Sequence, residues 1–326
     1  MEGERSMTKE IFSISISGEL SLDLHALNNE RSEGNQTFTR QVTVLDKDGE
    51  LTTVNAISGD MFKHIQAKHL HAISLEEGLN LCNGCLNFDS NRIASDKEFT
   101  SSYKKDTPDE EVYQTIIQKC VMDDIEGMMA TANNKNVARK SIIEFGWVVG
   151  KPEKTFTENY FHLKKATNAS IVDKNKAENS GQNIFYRPLN TGVYATVIHL
   201  ETARIGLNEA SLNYDVDAEE RKKRYDALLK SVLYTFLKTE GAMRASQAPH
   251  LHDFKGVITV SFSSLPAPSV SPLNGQYEQE IATITANLNE LNSENPIELL
   301  KFNSISEFTK NIKDLMRYTP GSIVRK

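Results

Sequence analysis

The chain is poor in the features that would assign a class at once. None of its apolar runs approaches the ~18 residues of a membrane-crossing helix, and MEGERSMTKE has no signal-like apolar segment, so a cytoplasmic location and no membrane partner are expected. Three cysteines in 326 residues exclude a disulfide framework and leave thiols or ligands. Cationic excess is also missing: a net charge of −7 excludes a protein that coats nucleic acid indiscriminately and confines any such site to a local groove. Internal repeats and low-complexity tracts are absent. A hydrophobic share of 39% against 25% charged predicts a sizeable core carrying exposed insertions.

What is present begins with a strand. From Ile11 to Leu24, Phe12, Ile14, Ile16, Leu20, Leu22 and Leu24 alternate with Ser13, Ser15, Ser17, Glu19, Ser21 and Asp23, the pattern of a strand covered on one face. His25 to Val42 is polar and reads as a loop with Arg40 at its exit; Asp48-Gly49 then turns a hairpin between Gln41–Leu45 and a returning strand to Ile57. In VNAISGDMFKHIQAKHLHAI, Val54 to Ile73, Ser58 reads as the N-cap of a helix. At roughly 100° per residue, Met61, Phe62, Ile65, Ala72 and Ile73 share a core face while Lys63, His64, Ala67 and His71 lie opposite, Lys68 at the margin. A glycine turn, an amide-rich helix start and Lys or His beyond it make a seat for a phosphodiester backbone. An ordinary amphipathic helix with a solvated face is the plainer alternative, and Asp60 competes for the same helix terminus.

Residues 74–108 are irregular and read as an insertion carrying Cys82 and Cys85. A helix is expected from Asp109 to about Thr131, and a short strand from Ser141 to Val149. Lys151 to Asn190 shows no sustained period and interleaves aromatic with basic residues, the mark of a long functional loop. Gly192–Ile205 is a strand, Asp217–Leu237 a charged helix, Gly256–Phe262 a last strand, and the remainder helical around Ile281, Leu288, Phe308 and Ile312. This is an α+β order, and an antiparallel sheet backed by helices in the ferredoxin-like manner is its simplest solution.

Several chemistries fail on the residues. A zinc deaminase needs HxE and PCxxC, but His69-Leu70-His71 lacks the Glu and Leu81 replaces the Pro. A metal nuclease could group Asp123, Asp124 and Glu126, yet these spread round a helix and Gly127 follows, which describes a solvated helix end. The Cys82-Cys85 pair with Cys120 and either Asp123 or a nearby His leaves structural zinc open, but the missing fourth thiolate favours reduced packing cysteines and no cofactor.

The order of LHALNNE, EGN…TRQV, AISGDMFKH, DIEGMM, RKSIIEFGW and GAMRAS resembles the guide-RNA-binding backbone subunit of type I CRISPR Cascade complexes, in the autoregulator DevR branch and of a type I-B-like kind. The resemblance covers most of the chain. It implies a modified RNA-recognition-motif palm (1–73, 109–150 and 191–326), an inserted subdomain (74–108) and a thumb (151–190). It further implies a non-catalytic protein whose partners are a guide crRNA, a target DNA strand paired to that guide, copies of itself, and the guide-end cap, large and small subunits. Carried over, RNA would meet Asn28, Arg40, Ser58, Gly59, Lys63, His64, Lys68, Gly241, Ala242 and Arg244, with Phe156, Phe161, Lys164 and Lys165 in the thumb. Asp60 departs from the family's usual neutral residue, and the stacking-aromatic signature of a standard RNA-recognition motif is missing. Some relatives complete a second CxxC where this chain has Cys120 and Asp123. Two alternatives follow: an RNA-cleaving subunit using an acidic loop residue, for which Asp23 is nearest, or a DNA-binding autoregulator, which would need a helix-turn-helix or basic arm that the sequence does not display.

Overall fold

The computed structural model describes residues 9–165, 182–241, 244–292, 294 and 296–323. Seven strands carry the main sheet: β1 (Ser13–His25), β2 (Gln41–Leu45), β3 (Leu51–Ile57), β4 (Val148–Lys165), β5 (Gln182–Leu200), β6 (His250–Ser261) and β7 (Ile297–Phe302). They lie in the order β7-β6-β1-β5-β4-β3-β2, each pair antiparallel. The principal helices are α1 (Gly59–Glu77), α2 (Asp109–Lys119), α3 (Val121–Glu126), α4 (Ala218–Leu237), α5 (Tyr277–Glu290) and α6 (Ile305–Leu315). Taken along the chain, β1, α1, β4, β5, α4 and β6 form a strand-helix-strand-strand-helix-strand unit, and each helical crossover skips one strand.

Alternation in β1 sends Ile14, Ile16, Leu20 and Leu22 into the core beneath α1 and α4. Phe236 of α4 is the hub of that core: its ring lies 4.2 Å from Phe254 of β6, 5.5 Å from Phe308 of α6 and 6.1 Å from Phe62 of α1. Four elements therefore share one aromatic contact.

The structure corrects several expectations. The second face of β1 is covered too, with Ser15, Ser17 and Glu19 buried. Ser15 Oγ donates to the Ala267 carbonyl and Thr259 Oγ1 to the Pro268 carbonyl, so the proline-rich stretch lies across that face, and Glu19 is paired by Lys151 and Lys255. Hydroxyls satisfied by backbone look like solvent-facing residues in a sequence. The polar 25–42 stretch holds a small hairpin, Asn29–Glu33 with Gln36–Thr39, and β7 stands where helix was expected. The helix begun at Asp109 stops at Lys119, because Cys120 is extended (φ −150°, ψ 120°) and caps α3 instead. Helix α1 continues to Glu77, with Ala72 exposed and Ala67 buried, the reverse of the expected faces. In the described parts of the Lys151–Asn190 stretch, 151–165 and 182–190, strand replaces the expected loop: β4 and β5 pair as a ribbon from Thr155↔Gly192 to Lys165↔Gln182, and 166–181 lie outside the described residues. Both ribbon faces carry exposed side chains, so no polar-apolar contrast betrays its period of two.

Phe236→Ala is expected to cost ~3–5 kcal/mol in urea unfolding, because the cavity opens among four elements. A loss below ~1 kcal/mol would remove Phe236 from the centre of the core.

Candidate nucleic-acid interface

The N-terminus of α1 is tied to the end of β1. Ser58 Oγ accepts the Met61 N–H at 3.2 Å, as the sequence predicts for the cap, and the Ser58 N–H donates to Asn28 Oδ1 at 2.8 Å. The Arg40 N–H donates to the Asn28 carbonyl at 3.2 Å, and the Ala56 N–H to the Arg40 carbonyl at 3.0 Å. Asn28, Arg40 and Ser58 thus form one knot. The Arg40 guanidinium lies 5.3 Å from the Trp147 ring, a partner for which sequence spacing gives no signal. Gly59 stands here because a Cβ would meet the Phe145 carbonyl oxygen at 2.6 Å.

Beside this knot, Gly241 lies against Leu27 so closely that a Cβ would come 2.6 Å from its Cδ2. Lys68 of α1 pairs with Glu240 at 2.6 Å, and Lys238 and Arg244 reach the same carboxylate at 2.7 and 3.1 Å. Hydrogen bonds from Lys238 and Lys68 hold the Glu240 carboxyl down to about 2. Three cations around one anion leave positive charge available at a half-open edge. The Asn28–Arg40–Ser58 knot with Gly59 is thus joined, through Leu27 and Gly241, to the Glu240 cluster of Lys68 and Arg244, whereas Ala242 lies outside the described residues.

Lys63 and His64 point elsewhere. The insertion flanks that face of α1, forming a half-open cleft of about 370 Å³ lined by Asp60, Lys63, His64, Phe88, Arg92 and Met122. Lys63 Nζ donates to the Glu126 carbonyl at 3.2 Å, and burial lowers its pKa; His64 sits against Phe88, as does His71. The open cationic face expected of α1 is thus divided between an exposed margin at Lys68 and this cleft.

Nor is the acidic run of α3 a solvated helix end: Asp123 and Asp124 are 0% exposed and Glu126 2%. Asp124 is bound by Arg139 Nη2 at 2.5 Å, Arg224 Nη1 at 2.9 Å and the Gly206 N–H at 3.0 Å. Asp123 instead meets the thiols of Cys82 and Cys85 at 3.2 and 3.5 Å and the Ile93 N–H at 3.2 Å; burial pushes its carboxyl up to about 7. Cys82, Cys85 and Cys120 are all buried and unbridged.

The β4–β5 ribbon presents two different faces. Register puts Phe161, Leu163, Ile184 and Tyr186 on one, all exposed, with the Phe161 and Tyr186 rings 6.1 Å apart. The other carries Phe156, 65% exposed, then Tyr160, His162, Phe185 and Arg187; His162 stacks on Phe185 at 6.0 Å and Arg187 lies 4.8 Å from the same ring. Lys164 and Lys165 fall within β4, but their side chains lie outside the described residues.

An antiparallel sheet backed by helices, with a basic margin and an aromatic ribbon, defines a mixed α/β protein. The chain belongs to the family described as CRISPR-associated negative auto-regulator DevR/Csa2, whose model matches residues 16–282. It is 26% identical over 233 residues, 68% of this chain and 70% of the relative, to CRISPR-associated protein Cas7/Csa2 1 of Saccharolobus solfataricus. It is 25% identical over 272 residues, 77% of this chain and 82% of the relative, to CRISPR-associated protein Cas7/Cst2/DevR of Methanocaldococcus jannaschii. Among solved structures, it is similar to a chain of a CRISPR RNA-guided surveillance complex in a pre-nicking state, at 12% identity and a TM-score of 0.46, covering 93% of this chain and 99% of that one. That likeness is too loose to transfer contacts. Among the described residues no helix is long and apolar enough to cross a membrane.

Asn28→Ala is expected to destabilise the chain by ~1–3 kcal/mol, since it strands the buried Ser58 N–H, while Asn28→Asp keeps an acceptor and costs less. Equal losses for the two variants in thermal unfolding would mean that this hydrogen bond does not hold the helix start.

Proposed function

We propose that the chain is a non-catalytic, guide-RNA-binding backbone subunit of a CRISPR surveillance complex of the Cascade kind. On this reading the strand-helix-strand-strand-helix-strand unit is a modified RNA-recognition-motif palm and the β4–β5 ribbon its thumb. Copies stack along one crRNA, leave guide segments free to pair with a target DNA strand, and meet the cap, large and small subunits. Family membership supports the class. The observation that carries the reading is the surplus of cations around Glu240 beside the capped start of α1, on a chain whose net charge is −7. Cations, backbone amides and helix starts position a phosphodiester chain without reading its bases. The ribbon supports it too, because stacking on an aromatic ring contributes ~1–3 kcal/mol per base whatever the base.

Protein purified from cells that supply a repeat-spacer array is expected to carry nuclease-sensitive RNA of uniform length. Lys68→Ala with Arg244→Ala should lower RNA retention and reduce the log–log salt slope by ~0.7 for each lost single-strand contact. Lys63 is left intact in that test because it is committed to the Glu126 carbonyl. Retention with an unchanged slope would place the RNA elsewhere and sink the basic-margin reading; absence of any bound RNA would sink the function.

Cleavage is the second reading, favoured by one contact: Asp23 Oδ2 lies 2.5 Å from His252 Nε2 at the surface. An acid beside an imidazole is a minimal acid-base pair. We expect no cleavage of bound guide or complementary strand with divalent metal present. Cleavage abolished by Asp23→Ala would make the chain a nuclease.

A further inference from the structure

We propose that Cys82, Cys85, Cys120 and Asp123 bind one zinc ion that pins the inserted residues 74–108 to the body of the protein. Their four donor atoms lie within 4.8 Å of one another, and all four residues are buried. The donors come from two turns of one design. In the first, Cys82 caps the short helix Asn83–Leu86 and its Sγ accepts the Cys85 N–H at 3.3 Å. In the second, Cys120 caps α3 and its Sγ accepts the Asp123 N–H at 3.4 Å. Each turn offers a donor at its cap and another three residues on, so Asp123 stands where a second thiol would complete the pattern. A tetrahedron drawn with Zn–S of ~2.3 Å and Zn–O of ~2.0 Å has edges of ~3.5–3.8 Å. Asp123 Oδ2 is already 3.2 Å from Cys82 Sγ and 3.5 Å from Cys85 Sγ.

Charge separates an ion site from a cluster of packing thiols. Asp124, the next residue, is neutralised by two guanidiniums. Asp123 is equally buried, yet its hydrogen-bonding partners among the described residues are thiols and one amide. A carboxylate buried among sulfurs stays ionised only beside a cation, and none of those partners supplies one. Zinc displaces the three thiol protons to solvent and takes three thiolates and one carboxylate as ligands. Sulfur donors select it over magnesium or calcium, and the two N–H···S bonds hold the thiolates from outside. Lys63 and Arg92 line the cleft that Cys85 also borders and offset part of the remaining negative charge. The sequence favours packing cysteines only because a fourth thiolate is missing; the fold brings a carboxylate to that corner.

The site is independent of what the basic margin or ribbon binds, and so is its test. Mass spectrometric metal analysis of protein purified without chelator should find about one zinc per chain, falling below about a tenth in Cys85→Ser and Cys120→Ser. A serine variant that fails to fold also loses metal, so wild-type protein supplies two further readouts. Titrated with cobalt after zinc removal, it should develop visible tetrahedral bands and near-ultraviolet thiolate-to-cobalt bands. Chelation should raise tryptic cleavage at Arg92, Lys97, Lys104 and Lys105 several-fold while the central sheet stays protected. Wild-type protein holding under about a tenth of an equivalent of zinc, with no thiolate-to-cobalt band, would overturn the proposal and leave four reduced packing residues. A disulfide between Cys82 and Cys85 in freshly purified protein would overturn it as well.

Discussion

Asp124 fixes the arrangement on which the cysteine cluster depends. It is fully buried between Arg139 and Arg224, and those guanidiniums also bind the carbonyls of Leu207, Arg204 and Ile117. One carboxylate thereby locks α3 to α4, to the exit of α2 and to the segment after β5. Such an assembly adds little net stability over well-packed apolar residues, but losing one partner leaves a buried charge and costs ~3–5 kcal/mol. Its contribution is therefore directional. With α3 held in one orientation, Asp123 turns toward the cysteines and the Glu126 carbonyl turns toward Lys63.

The same economy governs the exposed margin. An acidic chain attracts a polyanion only where positive charge is gathered within a screening length, ~8 Å at physiological salt. Glu240 does the gathering: three cations converge on a carboxylate held ionised by them, and neither Lys68 nor Arg244 has to reach out from a mobile position. The acid lowers the total charge of the patch while ordering what remains. The Asn28 side chain, pinned to the helix start, keeps that patch beside the backbone amides of α1.

Local chemistry was legible in the sequence wherever a single residue sets it. Ser58 caps the helix it was expected to cap, Asp48-Gly49 turns its hairpin with Gly49 at φ +82°, and Phe62 and Ile65 enter the core. Failures occurred where burial is decided by elements distant in the chain. Ser15 looks solvated until the Ala267 carbonyl reaches it, and Asp124 looks like part of a helix end until the arginines at 139 and 224 arrive. Lys63 and Lys68, five positions apart, read as one surface, yet the insertion flanks one and Glu240 pairs the other. Polarity marks exposure only when no partner comes from elsewhere.

On the proposed reading, the weakness of each contact has a purpose. A handful of phosphate contacts and a few stacked bases on one protomer give modest affinity, but protomers joined along a single strand bind as a multivalent array, and effective concentration supplies what individual contacts lack. Specificity must then stay out of the protein. Aromatic faces accept any base and cations accept any phosphate, so on that proposal Tyr160, Phe185 and Lys68 would hold a strand without constraining its sequence. A ribbon with aromatic rings on both faces, and Arg187 on one of them, is suited to meeting two surfaces at once: a neighbouring polypeptide and an unstacked base. Neither face could be buried in the monomer without losing that capacity, which is why the ribbon stands clear of the core and why its pattern was silent in the sequence.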